Sequence, residues 1–209
     1  MKVQPRASEL NTKVLVRERV WGDMERLGVA RFPTPCRGRI PNFEGSKDVA
    51  ERLGTLEAYR RSEAVFVGPD VALKACRDRV LRDGKTLAFA TPGMREFKEL
   101  RPEMKKRDTS IRGLKRYGDS LATAVSVIIL GSVAVDLKGN RIGKGAGYGD
   151  REVAWLAEHR LSVDGAVRMT PVHPIQVFDD LEPLMEPTDE PVDFVIVPGE
   201  AIPVRFLAE

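Results

Sequence analysis

Residues 126–136 read SVIILGSVAVD and are the most apolar run in the 209-residue chain. A run this rich in β-branched residues predicts a central strand of a buried sheet, or two short strands separated at Gly131. Helices are predicted over residues 47–60, 71–82 and 150–161, and further strands over 64–68, from Thr86, over 166–177 and over 192–199. This alternation predicts an α/β fold, in which a mostly parallel sheet carries helices on both faces.

The composition is typical of a globular protein, with 42% hydrophobic and 31% charged residues. The length suits one core, so we expect a single domain over residues 1–209. No apolar run approaches the roughly 18 residues of a spanning helix, and the start, MKVQPRASELNTK, lacks the apolar centre of a secretion signal. Two cysteines are too few for a disulfide framework. We therefore predict a cytoplasmic protein with no membrane contact.

Charge is distributed unevenly along the chain, although the formal net charge is only +3. Residues 2–39 and 94–116 are basic, whereas residues 178–209 are acidic. Such a chain can offer cations to an anion and carboxylates to a metal. The 94–116 segment has nine Lys or Arg against four acids, without interleaved aromatic residues. It is interpreted as a solvated helical face rather than a nucleic-acid contact.

The first predicted helix covers residues 8–27. Its apolar stripe is predicted to comprise Leu10, Val14, Trp21 and Met24. Arg17 lies on the same face, and Lys13 precedes it by one turn. Two interpretations are open: Arg17 lies along apolar surface or pairs with a buried acid, or these cations hold an anion against the body of the protein.

Residues 141–150, RIGKGAGYGD, form a glycine-rich loop between a strand and a helix. In this order the loop amides and the helix N-terminus converge on one anion, typically a phosphate. Gly143, Gly145 and Gly147 alternate strictly, so the loop matches neither the dinucleotide G-x-G-x-x-G pattern nor a Walker loop. Lys144 lies between two of these glycines. A tight turn without a ligand is the alternative.

Asp150 can be an N-cap of the following helix or a ligand of Mg²⁺ bound beside a polyphosphate. A second acid, Asp193, stands at the start of the 192–199 strand, and we expect it to join Asp150. Two further features have open interpretations. The loop over 30–45 either lines a pocket with Arg37, Arg39, Asn42 and Phe43 or wraps the surface, anchored by Phe32, Ile40 and Phe43. His173 either lines the pocket or has a structural role.

Three separated segments together resemble the 5-formyltetrahydrofolate cyclo-ligase family, also called methenyltetrahydrofolate synthetases. They are DLKGNRIGKGAGYGDREVAWL (136–156), the Lys13-x-x-x-Arg17 pair and VDFVIVPG (192–199). FPTPCRGRIPNFEG (32–45) and GSVAV (131–135) are similar to the divergent methenyltetrahydrofolate synthetase domain-containing branch, so that the resemblance covers nearly the whole chain. It implies a three-layer α/β/α sandwich related to the ribose-5-phosphate isomerase and CoA-transferase group.

The resemblance implies ATP, Mg²⁺ and a folate as ligands, and cyclisation of 5-formyltetrahydrofolate as the activity. It assigns the phosphates to cationic side chains and loop amides, the metal to two aspartates, and one wall of the pocket to a tyrosine. In this sequence the corresponding residues are Lys13, Arg17, Arg141 and Lys144 for the side chains, Gly143, Gly145, Ala146 and Gly147 for the amides, Asp150 and Asp193 for the metal, and Tyr148 for the wall.

The chain departs from the family pattern at two points. Gly149 stands where the cyclo-ligases have a second tyrosine, and the substrate-contacting glutamate of the family has no counterpart near residues 31–45. A second hypothesis is therefore a non-catalytic nucleotide-sensing or RNA-binding regulator that retains the phosphate loop.

Overall fold

The computed structural model describes residues 10–104 and 107–204. The helices are α1 Lys13–Arg26, α2 Ser46–Arg52, α3 Glu57–Arg61, α4 Lys74–Arg82, α5 Ile111–Arg116 and α6 Tyr148–Glu158. The strands are β1 Ala30–Arg31, β2 Asn42–Phe43, β3 Ala64–Val67, β4 Thr86–Ala90, β5 Phe97–Leu100, β6 Asp119–Ser120, β7 Val125–Ile129, β8 Ala134–Asp136, β9 Arg141–Ile142, β10 Ser162–Pro171, β11 Val177–Phe178, β12 Phe194–Val197 and β13 Glu200–Pro203. None of the helices in these two ranges is long and apolar enough to cross a membrane.

The main sheet has eight strands in the order β13-β12-β10-β7-β3-β4-β5-β6. The inner strands β12, β10, β7, β3 and β4 are parallel to one another, and antiparallel strands cover both edges. This arrangement confirms the predicted α/β class with a mostly parallel sheet. Parallel strands require crossovers, and the helices that supply them cover the sheet faces.

The two faces of the sheet bury different residues, because side chains alternate along a strand. On β3, Val65 and Val67 pack into the larger core with residues of α1, α2 and α4, whereas Ala64 and Phe66 pack into a second core. The second core includes Val153 and Leu156, both on α6. Helices therefore lie on both faces, as predicted.

The apolar run at 126–136 forms two strands rather than one. β7 lies in the centre of the main sheet, whereas β8 belongs to a separate three-stranded sheet of order β11-β8-β9. The chain changes sheets around Gly131, where a Cβ atom would lie 2.8 Å from a methyl carbon of Ile40. Only a glycine allows this close approach, which confirms the predicted break and gives its reason.

The predicted apolar stripe of α1 is confirmed at Trp21 and Met24, and Leu10 packs against the core, whereas the prediction for Val14 was wrong. The helix begins at Lys13, with Thr12 as N-cap, and Val14 is 61% exposed. Val16 and Val20, which the prediction left out, complete the buried face with Trp21 and Met24. Residues 8–9 of the predicted helix lie outside the described part of the chain.

Two other predicted elements differ from the structure. The helix expected over 47–60 is broken into α2, a short 3-10 turn at Leu53–Thr55 and α3, because Leu56 adopts an extended conformation. The basic 94–116 segment is not one helical face, since β5 and α5 occupy its two ends. Lys105 and Lys106 lie outside the described residues.

Candidate functional site

A cavity of about 1010 Å³ lies at the carboxyl ends of three adjacent strands of the main sheet. The segments that follow β3, β4 and β7 form its floor, and the glycine loop, α1 and the chain around Asp189 form its sides. Ligands of open parallel sheets bind at this edge, because the loops that leave the strands meet there. The cavity gathers nearly all the residues predicted for the site. They are Lys13, Arg17, Arg141, Gly143, Lys144, Gly145, Ala146, Gly147, Tyr148 and Asp150.

The backbone conformation of the glycine loop leaves several of its amides without a protein partner. Gly145 and Gly147 have positive φ angles of +106° and +62°, and Gly147 is the N-cap of α6. Within the described residues, no hydrogen bond uses the amides of residues 144–147 as donors. These free amides and the N-terminus of α6 therefore present a cluster of unsatisfied N–H groups to the cavity.

Lys13 and Arg17 extend from α1 toward this loop. The Nε of Arg17 donates to the carbonyl of Gly143 at 2.7 Å, which fixes the guanidinium against the loop. Lys13 donates to both carboxylate oxygens of Asp189, at 2.6 and 2.9 Å, and to Glu186 at 2.9 Å. Burial acts to lower the pKa of Lys13, but the hydrogen bonds to Asp189 and Glu186 outweigh it and raise that pKa. Both cations are thus held in place before a ligand binds.

The two cations of the 141–150 segment are also paired with acids. Lys144 donates to Asp70 at 2.6 Å across 74 residues of sequence. Arg141 is 3% exposed and donates to Asp150 at 2.6 Å and to the carbonyl of Glu190 at 3.0 Å. Arg141 therefore orients Asp150, whereas Lys144 is only partly buried and can exchange its carboxylate partner for a phosphate.

Glu152 is the unusual acid of the cavity. It is 3% exposed, lies on the second turn of α6 and forms no hydrogen bond or ion pair with any described residue. Desolvation by burial and the negative charge of Asp70 raise the pKa of Glu152 to about 8, despite the opposing effect of Arg141 and Lys144. This carboxyl is therefore mostly protonated near neutral pH.

Tyr148 and Gly149 stand where α6 meets the cavity. Tyr148 is 37% exposed, and the guanidinium of Arg151 lies 4.8 Å from its ring centroid. A Cβ atom on Gly149 would lie 2.7 Å from Nη2 of Arg141. The glycine therefore leaves the room that the buried Arg141 guanidinium occupies here, which gives a physical reason for the missing second tyrosine.

Asp193 does not join Asp150. Its carboxylate accepts the amide of Arg168 at 2.7 Å at the start of β12, and it does not line the cavity. The physical reason is lateral: β12 lies beyond β10 in the sheet, two strands away from β7, whereas the cavity lies at the ends of β7, β3 and β4. We therefore correct this part of the predicted metal set.

Some of the residues in question in the 30–45 loop line the cavity and others do not, and His173 has a structural role. Arg39 and Ile40 line the cavity, but Arg37 pairs with Glu18 at 2.5 Å on the surface. Phe32 is 78% exposed and is not an anchor. Asn42 and Phe43 form β2 outside the cavity lining, and Phe43 is buried, as expected for an anchor. His173 is outside the cavity lining as well; it accepts the amide of Ile175 at 3.2 Å in a structural role.

Sequence reasoning missed Asp70 and its support. Asp70 follows β3 in VGPD, and an acid directly after a parallel strand is a signal that could have identified it. Arg77, fully buried on α4, donates to the carbonyls of Gly68 and Asp70 at 2.6 and 2.9 Å. Burial lowers the pKa of Arg77 to about 10. This arginine fixes the turn that presents Asp70 to Lys144.

The free amides, the helix N-terminus and the cations at the carboxyl edge of a parallel sheet define an α/β protein with a cleft whose groups are suited to an anion. The model of the 5-formyltetrahydrofolate cyclo-ligase family matches residues 9–198, and the chain belongs to this family. Membership confirms the resemblance carried by the three sequence segments.

Curated relatives include the methenyltetrahydrofolate synthase domain-containing proteins of Homo sapiens, 35% identical over 212 residues, and Bos taurus, 34% identical over 212 residues. Each match covers 96% of this chain and 55% of the relative, so the chain spans about half the length of the curated relatives it matches.

Two solved structures have the same fold. The 5,10-methenyltetrahydrofolate synthetase of Aquifex aeolicus matches with a TM-score of 0.64 at 21% identity, covering 94% of this chain and 95% of that chain. The 5,10-methenyltetrahydrofolate synthetase of Mycoplasma pneumoniae matches with a TM-score of 0.51 at 12% identity, covering 88% of this chain and 97% of that chain. The relation to the ribose-5-phosphate isomerase and CoA-transferase group stays a prediction.

Proposed function

We propose that the protein catalyses the ATP- and Mg²⁺-dependent cyclisation of 5-formyltetrahydrofolate to 5,10-methenyltetrahydrofolate, with ADP and phosphate as the other products. The observation that carries the proposal is the convergence of Lys13, Arg17 and Lys144 on a glycine loop with free amides. Family membership and the names of the relatives support the substrate class.

The scheme relies on positioning and charge neutralisation, as phosphoryl transfer does in general. The formyl oxygen of the folate attacks the γ-phosphorus of ATP and ADP leaves. N10 then bonds to the activated carbon and loses its proton, and phosphate leaves. Lys13, Arg17 and Lys144 neutralise phosphate oxygens, the amides of residues 143–147 cradle them, and Tyr148 walls the pocket.

The acids that line the cavity fit Mg²⁺. Within residues 10–104 and 107–204, no three His, Cys, Asp or Glu side chains are grouped to hold a metal by themselves. Asp70 and Asp150 both line the cavity, and each uses Oδ1 for its hydrogen bonds to protein groups, leaving Oδ2 available. Mg²⁺ is commonly held by one or two carboxylates completed by phosphate oxygens and water. We therefore assign it to Asp150 and Asp70, where it would neutralise charge on the transferred phosphoryl group.

The test is formation of the methenyl chromophore from 5-formyltetrahydrofolate, ATP and Mg²⁺, followed by absorbance. We expect product with the wild type and with Lys74→Ala, an exposed lysine paired with Asp78, and a large loss with Lys144→Ala. A wild-type protein that forms no product, under conditions where an authentic cyclo-ligase does, would contradict the activity.

A second candidate is a nucleotide-binding regulator without turnover, and Gly149 favours it because the pocket lacks the second tyrosine ring of the cyclo-ligases. Tight Mg-ATP binding with no folate binding and no methenyl product would support this candidate. The RNA-binding form of the hypothesis predicts salt-sensitive RNA affinity that depends on Lys105, Lys106 and Arg107 and not on Lys144.

A further inference from the structure

Glu152 faces the floor of the cavity, the side formed by the segments that follow β3, β4 and β7. It lines the cavity from the second turn of α6, and its Oε2 lies 3.7 Å from the position that a Cβ on Gly68 would take. Gly68 follows β3, and its amide donates to the carbonyl of Ile129 at the end of β7. The carboxyl therefore lies over the ends of the two central strands.

The other acids around the cavity all have cationic partners. Asp70 pairs with Lys144, and Asp150 pairs with Arg141. Glu186 and Asp189 both pair with Lys13, and Glu190 pairs with Arg168. Glu152 forms no such pair within the described residues, although Arg141 and Lys144 are close enough to influence its charge.

The Glu152 side chain is 3% exposed, but its oxygens open to the cavity, since the fully buried side-chain atoms without a partner among the described residues are Nη2 of Arg77 and Nε of Arg168. Buried polar groups are nearly always satisfied in native proteins. A binding pocket is the usual exception, because its few polar groups are satisfied by the ligand. The lack of a protein partner for Glu152 thus indicates that the partner comes from the occupant of the cavity.

The chemistry of the occupant is limited by what a carboxyl can bind in both of its protonation forms. A phosphate oxygen carries no hydrogen, so it can pair with Glu152 only while the carboxyl is protonated, and the ionised form repels it. An N–H group on an uncharged ring is a good partner, because either form of the carboxyl can accept its hydrogen. Reduced pterin rings carry several N–H donors of this kind.

We propose that Glu152 is a specificity-determining residue that accepts a hydrogen bond from an N–H group of the substrate's nitrogen-containing ring and makes no contact with the phosphates of the nucleotide. The inference rests on the proposed function for the identity of that ring. The folate, which accepts the phosphoryl group, then lies at the floor of the cavity, and ATP, which donates it, lies on the loop side.

The experiment measures binding of 5-formyltetrahydrofolate and of Mg-ATP separately, by calorimetry, in the wild type and three variants. Glu152→Met keeps the size but removes the acceptor, Glu152→Gln keeps an acceptor oxygen, and Glu158→Gln changes an exposed glutamate of the same helix. We expect Glu152→Met to bind the folate about tenfold to a hundredfold more weakly, with Mg-ATP affinity within about twofold of the wild type. Glu152→Gln recovers part of the loss, and Glu158→Gln changes neither affinity.

Each outcome decides between the inference and the proposed function. Unaltered folate affinity in Glu152→Met, or equal losses of folate and Mg-ATP affinity, overturns the inference whether or not the enzyme turns over. Glu152-dependent folate binding by a wild type that forms no methenyl product supports the inference and refutes the activity. A wild type that binds neither 5-formyltetrahydrofolate nor 6-methyltetrahydropterin, the ring alone, overturns the inference.

Discussion

On the loop side of the cavity, Lys13, Arg17, Arg141 and Lys144 each hold a partner, whereas Glu152 on the floor has none among the described residues. Paired cations cost little to keep in a folded protein and are already placed for a ligand that can replace their acids. A lone buried carboxyl destabilises the fold and is retained only if something else requires it. The loop side is thus preorganised at small cost, and the floor is maintained at a larger one.

The largest expected effect is on stability, and it tests the floor. The raised pKa of Glu152 means that the folded state binds its proton more tightly than the unfolded chain does. Its contribution to stability is therefore complete below about pH 4.5 and is lost as pH rises toward about 8. Glu152→Gln removes this loss, so the variant should be more stable than the wild type at pH 8 by an amount on the order of a few kcal/mol.

Urea unfolding at several pH values between 5 and 8 provides the measurement. The difference between Glu152→Gln and the wild type should grow with pH, whereas Glu158→Gln, exposed on the same helix, should show no such trend. Parallel pH profiles for Glu152→Gln and the wild type would show that the floor carboxyl is satisfied after all.

The next effect concerns the loop side. Lys144→Ala removes the lysine that lies between the glycines and donates to Asp70. A hydrogen bond to a charged group contributes about 1.5–3 kcal/mol, so Mg-ATP affinity should fall about tenfold to a hundredfold. Calorimetry measures this loss, with Lys74→Ala as the control that removes an exposed lysine from its pair with Asp78. Equal Mg-ATP affinities in the wild type and Lys144→Ala would remove Lys144 from the phosphate site.

A smaller effect tests the backbone conformation of the glycine loop independently of its side chains. Gly147 has φ +62°, and a Cβ atom added there would have no atom within 4 Å, so Gly147→Ala adds only backbone strain, about 1 kcal/mol. Gly22 lies in α1 with equally open space and no positive φ, so Gly22→Ala should be neutral or stabilising by up to about 1 kcal/mol. Thermal unfolding compares them, and equal shifts in both variants would refute the requirement for a left-handed residue at 147.

The loop side was predictable from sequence because its parts are local. The order strand, glycine loop, helix places residues 143–147 at a helix N-terminus whatever the rest of the fold, and the structure places Lys144 and Asp150 at the cavity as expected. Arg17 was also predicted to face inward. It does so because its contact with Gly143 lies beside Val16 on the buried face of α1.

The floor and the acids were not predictable in the same way, because they depend on which distant segments meet. Asp70 follows β3 of the main sheet and Lys144 follows β9 of the smaller sheet, so their contact depends on how the two sheets pack. Asp189 reaches Lys13 across 176 residues. Glu152 looks like an ordinary polar residue on a helix until its burial against the end of β3 is known. Asp193 shows the reverse error, since its strand β12 lies outside the three strands whose carboxyl ends border the cavity.

The smallest expected effect is at the edge of the cavity, where Asp189 forms an ion pair with Lys13. Asp189→Asn leaves Glu186 to pair with Lys13, so the loss of stability should be within about 1 kcal/mol. A phosphate of ATP then has only Glu186 to displace from Lys13. Mg-ATP affinity should therefore rise about twofold to fivefold, most clearly at low salt. Asp164→Asn, an exposed aspartate of β10 outside the cavity lining, is the matched control for the change in net charge. A fall in Mg-ATP affinity in Asp189→Asn would contradict this competition and show that Asp189 supports binding, by contact with the ligand or by holding Lys13 in place.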